Sequence, residues 1–267
     1  MTWTPPTGTL GSLVAAAFER IAPVIGSMAD IREESEEQTP PHSLKQALRG
    51  DHVRVIAEVK RSSPSKGVIA AGVDAAVLAR SYENGGAAAI SVLTEPSRFG
   101  GSLDDLRRAA GEVRIPVLRK DFIVHPVQIW EAKLAGAAAV LLIVRALSPE
   151  ALHELSATAA DAGVDALFEI RDEAELDAAM DAGASIIGVN NRNLETLVID
   201  PSTAPRLIPR IPSHIIAVAE SGMRTPEDAM ASVDAGADAL LIGSALSASG
   251  DPRTAVEGFT SLARRAR

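Results

Sequence analysis

Eight short apolar runs alternate with amphipathic stretches, and together they predict an α/β fold, a closed (β/α)8 TIM barrel with an N-terminal helical extension. Two further observations support closure. Most runs are introduced by Gly-Ala or Pro and leave into polar residues, so the two ends of the strands differ in character. No GxGxxG follows the first strand, which removes the main support for an open dinucleotide-binding sheet. A chain of 267 residues suits one such barrel.

Taken in order, residues 1–8 read as loose. Leu10, Leu13, Val14, Ala17, Phe18, Ile21 and Ile25 recur at helical spacing from Thr9 to about Asp30, with Pro23 ending or kinking the helix. Ile31–Gln38 is acidic and leads into Pro40-Pro41, a linker; Ser43 then caps a short helix over Leu44–Leu48. Residues 1–50 are thus an extension expected to cover the barrel mouth or its rim without building the core, and residues 51–267 are the barrel, one domain overall.

The strands are Val53–Lys60, Ala87–Leu93, Pro116–Lys120, Ala138–Val144, Asp165–Ile170, Ser185–Val189, Ile215–Ala219 and Ala237–Ile242. Between them run helices such as Asp74–Glu83, Ser102–Gly111, Pro126–Ala135, Pro149–Ala162, Asp172–Ala182 and Thr225–Ala235. Several open with Ser, Thr or Asp and Pro and close on Gly, the start and stop signals of helices.

Composition bounds the function. A net charge of −9 and a pI near 5.1 oppose nucleic acid as a partner, because phosphate backbones need a basic surface. The absence of Cys excludes disulfides and thiolate sites and fits a reducing compartment. No signal-peptide pattern and no apolar run of about 18 residues occurs. A cytoplasmic protein acting on a small molecule, without membrane contact and as a monomer or weak homodimer, is expected. His42, His52, His125, His153 and His214 have neither metal nor triad spacing, and no HExxH occurs, so no metal is expected.

Barrels of this kind carry their chemistry at the C-terminal ends of strands. Those positions hold Glu58 and Lys60, Thr94 and Glu95, Lys120 and Asp121, Glu169, Asn190 and Arg192, Glu220 and Ser221, and Gly243 and Ser244. Strand alternation places Glu58, Lys60, Lys120 and Glu169 toward one mouth, where neighbouring charges and burial can push their pKa values apart. Ser221-Gly222 and Gly243-Ser244 close the last two strands, where backbone N–H groups commonly meet a phosphate; Ser63 and Ser65 add hydroxyls. Phe99 and Phe122 offer either core packing or an apolar wall for a planar ring.

The segments IAEVKRSSPSKG, SVLTE, RFGGS, LRKDF, VLLI, GVNNRNL, VAESG and IGS occur in register from Val53 to Ser244. In this order and spacing they resemble the indole-3-glycerol phosphate synthase family of tryptophan biosynthesis. The resemblance implies a cofactor-independent carboxy-lyase that closes, decarboxylates and dehydrates 1-(2-carboxyphenylamino)-1-deoxyribulose 5-phosphate. It further implies Lys120 as general acid of ring closure, Glu169 in the proton transfers of dehydration, Lys60 against the substrate carboxylate and Glu58 as its orienting partner. Asn190 and Arg192 would hold the anthranilate end, Ser221 and Glu220 the ribulose-derived chain, and Ser63, Gly222, Gly243 and Ser244 the phosphate. Phe99, Phe122 and Leu141 would line the ring pocket. Three positions depart from the family pattern: Arg171, which parity makes an extra cation at the mouth; His125, a weaker cap than Asp; and Ser247 in place of Met. The alternatives are a phosphoribosylanthranilate isomerase-like barrel, opposed by the missing Cys, and a non-catalytic phosphate-binding barrel, opposed by the intact lysines and carboxylates.

Overall fold

The computed structural model describes residues 3–38, 43–60, 62–63, 67–68 and 74–267, without the side chains of Ser63 and Val68. Eight parallel strands close the barrel: β1 (Arg54–Val59), β2 (Ala89–Leu93), β3 (Val117–Lys120), β4 (Ala139–Ile143), β5 (Asp165–Ile170), β6 (Ile186–Asn190), β7 (Ile216–Glu220) and β8 (Ala239–Ile242). The last strand pairs with the first, Arg54 opposite Ala239 and Ala57 opposite Ile242, so no edge is left open. A two-stranded antiparallel ribbon, Ser62–Ser63 with Gly67–Val68, follows β1.

The helices preceding the barrel are α1 (Gly8–Ile21), α2 (Met28–Glu36) and α3 (Leu44–Ala47). Within the barrel come α4 (Ala75–Asn84), α5 (Pro96–Phe99), α6 (Leu103–Glu112), α7 (Pro126–Leu134), α8 (Pro149–Ala162), α9 (Glu173–Asp181), α10 (Thr203–Leu207), α11 (Pro226–Asp234), α12 (Ser244–Ser247) and α13 (Pro252–Thr260). Most strands are buried throughout, which is why their sequences read as continuous apolar runs.

Three expectations are corrected. The helical spacing expected to stop at about Asp30 runs on through the acidic stretch to Glu36, because Met28 and Ile31 pack on the core and Arg32 lies 4.8 Å over the Trp130 ring of α7. The extension also builds core: Leu10, Leu13, Ala17 and Ile21 of α1 are buried in one cluster with the barrel residues. Its far end reaches the opposite side of the barrel, where Ser43 caps α3 and donates to Asp165 at the start of β5. Finally, His125 caps α7 fully. Its Nδ1 accepts from the Val127 N–H while Gln128 reaches back to the His125 N–H, a capping box. The Pro40-Pro41 linker lies outside the described residues.

Candidate active site

The outgoing ends of the strands surround a cleft of about 1050 Å³, counting the space open to solvent. Lys120, closing β3, is the hub. Its ammonium lies 2.8 Å from Glu220 of β7, 3.6 Å from Glu58 of β1 and 3.8 Å from Glu169 of β5. Glu58 also pairs with Lys60, so it bridges the two lysines. The three carboxyl groups are buried, and the lysines that face them offset the cost of charge there.

This arrangement separates the protonation states. For Glu58, burial opposes ionisation, yet Lys60 and Lys120 outweigh it and hold the carboxyl below its ordinary value. Burial likewise disfavours the Lys120 cation, but Glu220, Glu58 and Glu169 override it and hold the ammonium firmly protonated. Glu169 goes the other way: burial and then the charge of Glu220 push it up to about 8, against the pull of Lys120. Near neutrality Glu169 is a carboxylic acid beside a cationic lysine.

Glu220 lies beneath the cleft rather than in its wall. It is fully buried, one oxygen on Lys120 and the other without a hydrogen-bond partner among the described residues. The site needs Gly188 on the neighbouring strand, since a β-carbon there would overlap the Glu220 carboxylate. In this geometry Glu220 acts on Lys120 and offers no surface to a ligand in the cleft.

One wall of the cleft is aromatic. The rings of Phe99 and Phe122 are 6.4 Å apart, and Leu141, Leu93 and Ile143 continue the apolar lining. Phe99 ends the four-residue helix α5, whose first three N–H groups are all accepted by the Glu95 carboxylate. Glu95, expected among the polar residues of the mouth, is therefore a cap that fixes Phe99.

At the opposite wall stand Ser221, Gly222, Gly243 and Ser244. Ser221 and Gly222 both have positive φ, 65° and 87°, a conformation a serine adopts only under constraint; Asn191 Nδ2 donates to the Ser221 carbonyl and holds the turn. Gly243 lies directly against the Glu58–Lys60 pair, where a β-carbon would overlap the Glu58 carboxylate. The wall of small residues and the acid–base cluster thus meet at Gly243. Ser63 has no described side chain, and Arg61 and Ser65 lie outside the described residues.

The loop after β6 forms the remaining side. Arg192 donates from its backbone to Asn190 Oδ1 and from its guanidinium to the Leu197 carbonyl, and partial burial lowers its pKa. Leu194 and Leu197 of this loop, with Thr9 and Leu13 of α1, line the cleft. These four escaped the sequence reading because loop leucines carry no period and the α1 residues read as ordinary amphipathic positions. Glu195 ties the loop to the extension: it accepts from the Thr7 N–H at 2.7 Å and from Arg145 at 3.0 Å, and its carbonyl accepts from the Thr9 N–H.

Arg119, absent from the sequence expectations, and Asp121, expected at the strand end, flank Lys120, both buried. Asp121 accepts from Arg20 of α1 at 2.6 Å, from Thr94 at 2.7 Å and from Arg119 at 3.1 Å. Charges on both parities of LRKDF were the available signal. Arg171 stands apart from the main mouth. It lines a second cavity of about 480 Å³, counting open space, that reaches Glu169 and Asn190 from behind and includes Arg145, Asp172 and Glu175.

Fold and site together define a (β/α)8 enzyme that works by acid–base chemistry from the C-terminal ends of its strands. Comparison with known proteins narrows this. The sequence pattern of indole-3-glycerol phosphate synthase matches residues 14–259. "Indole-3-glycerol phosphate synthase 1" of Streptomyces coelicolor is 54% identical over 86% of this chain and 86% of its own length. "Indole-3-glycerol phosphate synthase" of Streptomyces griseus is 57% identical over 79% of this chain and 78% of its own, and that of Mycolicibacterium vanbaalenii is 51% identical over 86% and 85%. The chain belongs to the indole-3-glycerol phosphate synthase family. Among solved structures, thiamine phosphate pyrophosphorylase from Pyrococcus furiosus aligns with a TM-score of 0.59 at 16% identity, covering 81% of this chain and 96% of its own; this likeness is one of fold.

Proposed function

We propose that this chain converts 1-(2-carboxyphenylamino)-1-deoxyribulose 5-phosphate into indole-3-glycerol phosphate, with release of CO2 and water. The observation that carries this reading is the Lys120 ammonium set among three buried carboxylates opposite an aromatic wall. The ring of the substrate stacks beside Phe99, Phe122 and Leu141, its carboxylate faces Lys60, and Arg192 and Asn190 hold the anthranilate end. The phosphate sits on the backbone of Gly222 and Gly243 with Ser244, and Ser63 adds a hydroxyl.

Lys120 then donates to the ketone oxygen as the ring carbon attacks, which turns the carbonyl into a hydroxyl. The new bond leaves a cationic ring system, and loss of CO2 returns its electrons and restores aromaticity. Glu169, held protonated by its surroundings, gives its proton to the departing hydroxyl. The resulting carboxylate takes the adjacent C–H proton and completes the indole. Glu58 orients Lys60 and Lys120, and Ser221 holds the hydroxyls of the ribulose-derived chain.

Steady-state assay with that substrate, following indole fluorescence and CO2 release, tests the proposal. Turnover of phosphoribosyl anthranilate instead, or binding without turnover, overturns it. The chain is taken to work in the cytoplasm as a monomer or weak homodimer; sedimentation across a concentration series tests the latter.

A further inference from the structure

The reaction proposed above has a proton balance that the main cleft does not serve. Two protons go to substrate oxygen and one returns from carbon, so each turnover takes up one proton from solvent, matching a carboxylate lost as neutral CO2. Lys120 ends each cycle neutral. Glu169, 3.8 Å away, is the neighbouring carboxyl whose surroundings hold it protonated and has far the lower proton affinity, so it reprotonates Lys120 and itself becomes the ionised group. The proton taken from solvent must therefore reach Glu169. That carboxyl is 4% exposed, and whenever substrate or product occupies the cleft, among Leu13, Leu194 and Leu197, solvent is shut off from it on that side.

The second cavity solves this placement. It shares Glu169, Asn190 and Arg192 with the cleft, and beyond them Arg145, Arg171, Asp172, Glu175 and Glu195 line it beside Leu10 and Ile170. Resting on the reaction assigned above, we propose that this cavity is the proton entrance of the enzyme and that Glu175, the N3 residue of α9, relays protons from solvent to Glu169. Glu175 touches no substrate and acts through Glu169.

The groups facing Glu175 suit a relay. Burial and the Asp172 carboxylate at the helix N-cap raise its pKa to about 7, opposed by the Arg171 N–H and by the charges of Arg145 and Arg171. It therefore exchanges protons readily near neutrality, and its charge also raises Glu169. A purely architectural role is the competing explanation, since Glu175 Oε2 accepts from the Arg171 N–H at 2.7 Å.

Glu175→Gln separates the two, because the amide oxygen keeps that hydrogen bond while the side chain loses its proton exchange. In weakly buffered solution kcat is expected to fall at least tenfold with KM unchanged. A solvent deuterium isotope effect should appear, and millimolar imidazole should restore most of the rate. An unchanged kcat, or a lowered kcat that imidazole does not restore, overturns the relay. Wild-type turnover of the substrate in the same assay keeps failure of the relay distinct from failure of the assigned reaction. If Glu175→Gln does not fold, Asp172→Asn takes its place, since Asn also caps. The alkaline limb of kcat should then move to lower pH, and an unmoved limb overturns the proposal.

Discussion

Lys120→Met removes the ammonium around which the acid–base machinery is built, and its effect follows from the distances. At an effective dielectric near 20, a carboxylate at the Glu220 or Glu58 separation attracts the ammonium by about 5 kcal/mol, much of it offset by the cost of burying the charges. Deleting one partner of such a buried set typically costs about 3–5 kcal/mol. Here the orphaned carboxylates can take up protons, so the loss should be smallest near pH 5 and grow as pH rises. Catalytically, a general acid contributes about 10²–10⁴-fold, so kcat and kcat/KM should fall together by at least two decades. The assay is single-turnover indole fluorescence beside direct titration of substrate, with urea unfolding at pH 5 and pH 8 as the fold control. Collapse of affinity with near wild-type turnover at saturation would refute the reasoning and move the acid role to Lys60.

Stability itself should fall as pH rises from about 4.5 to 8. Glu169 and Glu175 have folded pKa values near 8 and 7, above the unfolded value, so the folded state holds the extra protons across that window. Each group contributes a slope of up to about 1.4 kcal/mol per pH unit, and Glu169→Gln should flatten the urea-derived profile. Gly243→Val should raise KM and also lower kcat, since its side chain would displace the Glu58–Lys60 pair as well as the phosphate; an unchanged KM would exclude the placement. Deleting residues 1–40 removes the buried side chains Leu10, Leu13 and Ile21, each worth about 1.5–3 kcal/mol. A cooperative transition at much lower urea, with weaker substrate binding, is expected; an unshifted midpoint would contradict the core role of α1.

The strand count and the inward carboxylates and lysines were legible because alternation fixes them: Glu58 with Lys60, and Lys120 with Phe122. Packing between distant segments was not. Asp121 reads as an ordinary strand-end charge, yet Arg20 of α1 and Arg119 both rest on it. The α2 stretch hid its helix behind carboxylates, since only Met28, Ile31 and Ser35 face inward. Glu220 had the right parity for a ligand contact, yet its depth in the barrel depends on Gly188 next door. The strained φ of Ser221 leaves no trace in a single sequence.

The clasp of Glu195 on Thr7, Thr9 and Arg145 bears on how the protein is handled at the bench. The loop it secures carries Arg192, Leu194 and Leu197, so that side of the cleft takes its shape partly from Thr7 and Thr9. An affinity tag fused before Met1 sits a handful of residues from the clasp, whereas one fused after Arg267 follows a residue anchored on Asp238 at 2.8 Å. Kinetic constants from differently tagged preparations should be compared only after the tag has been cleaved.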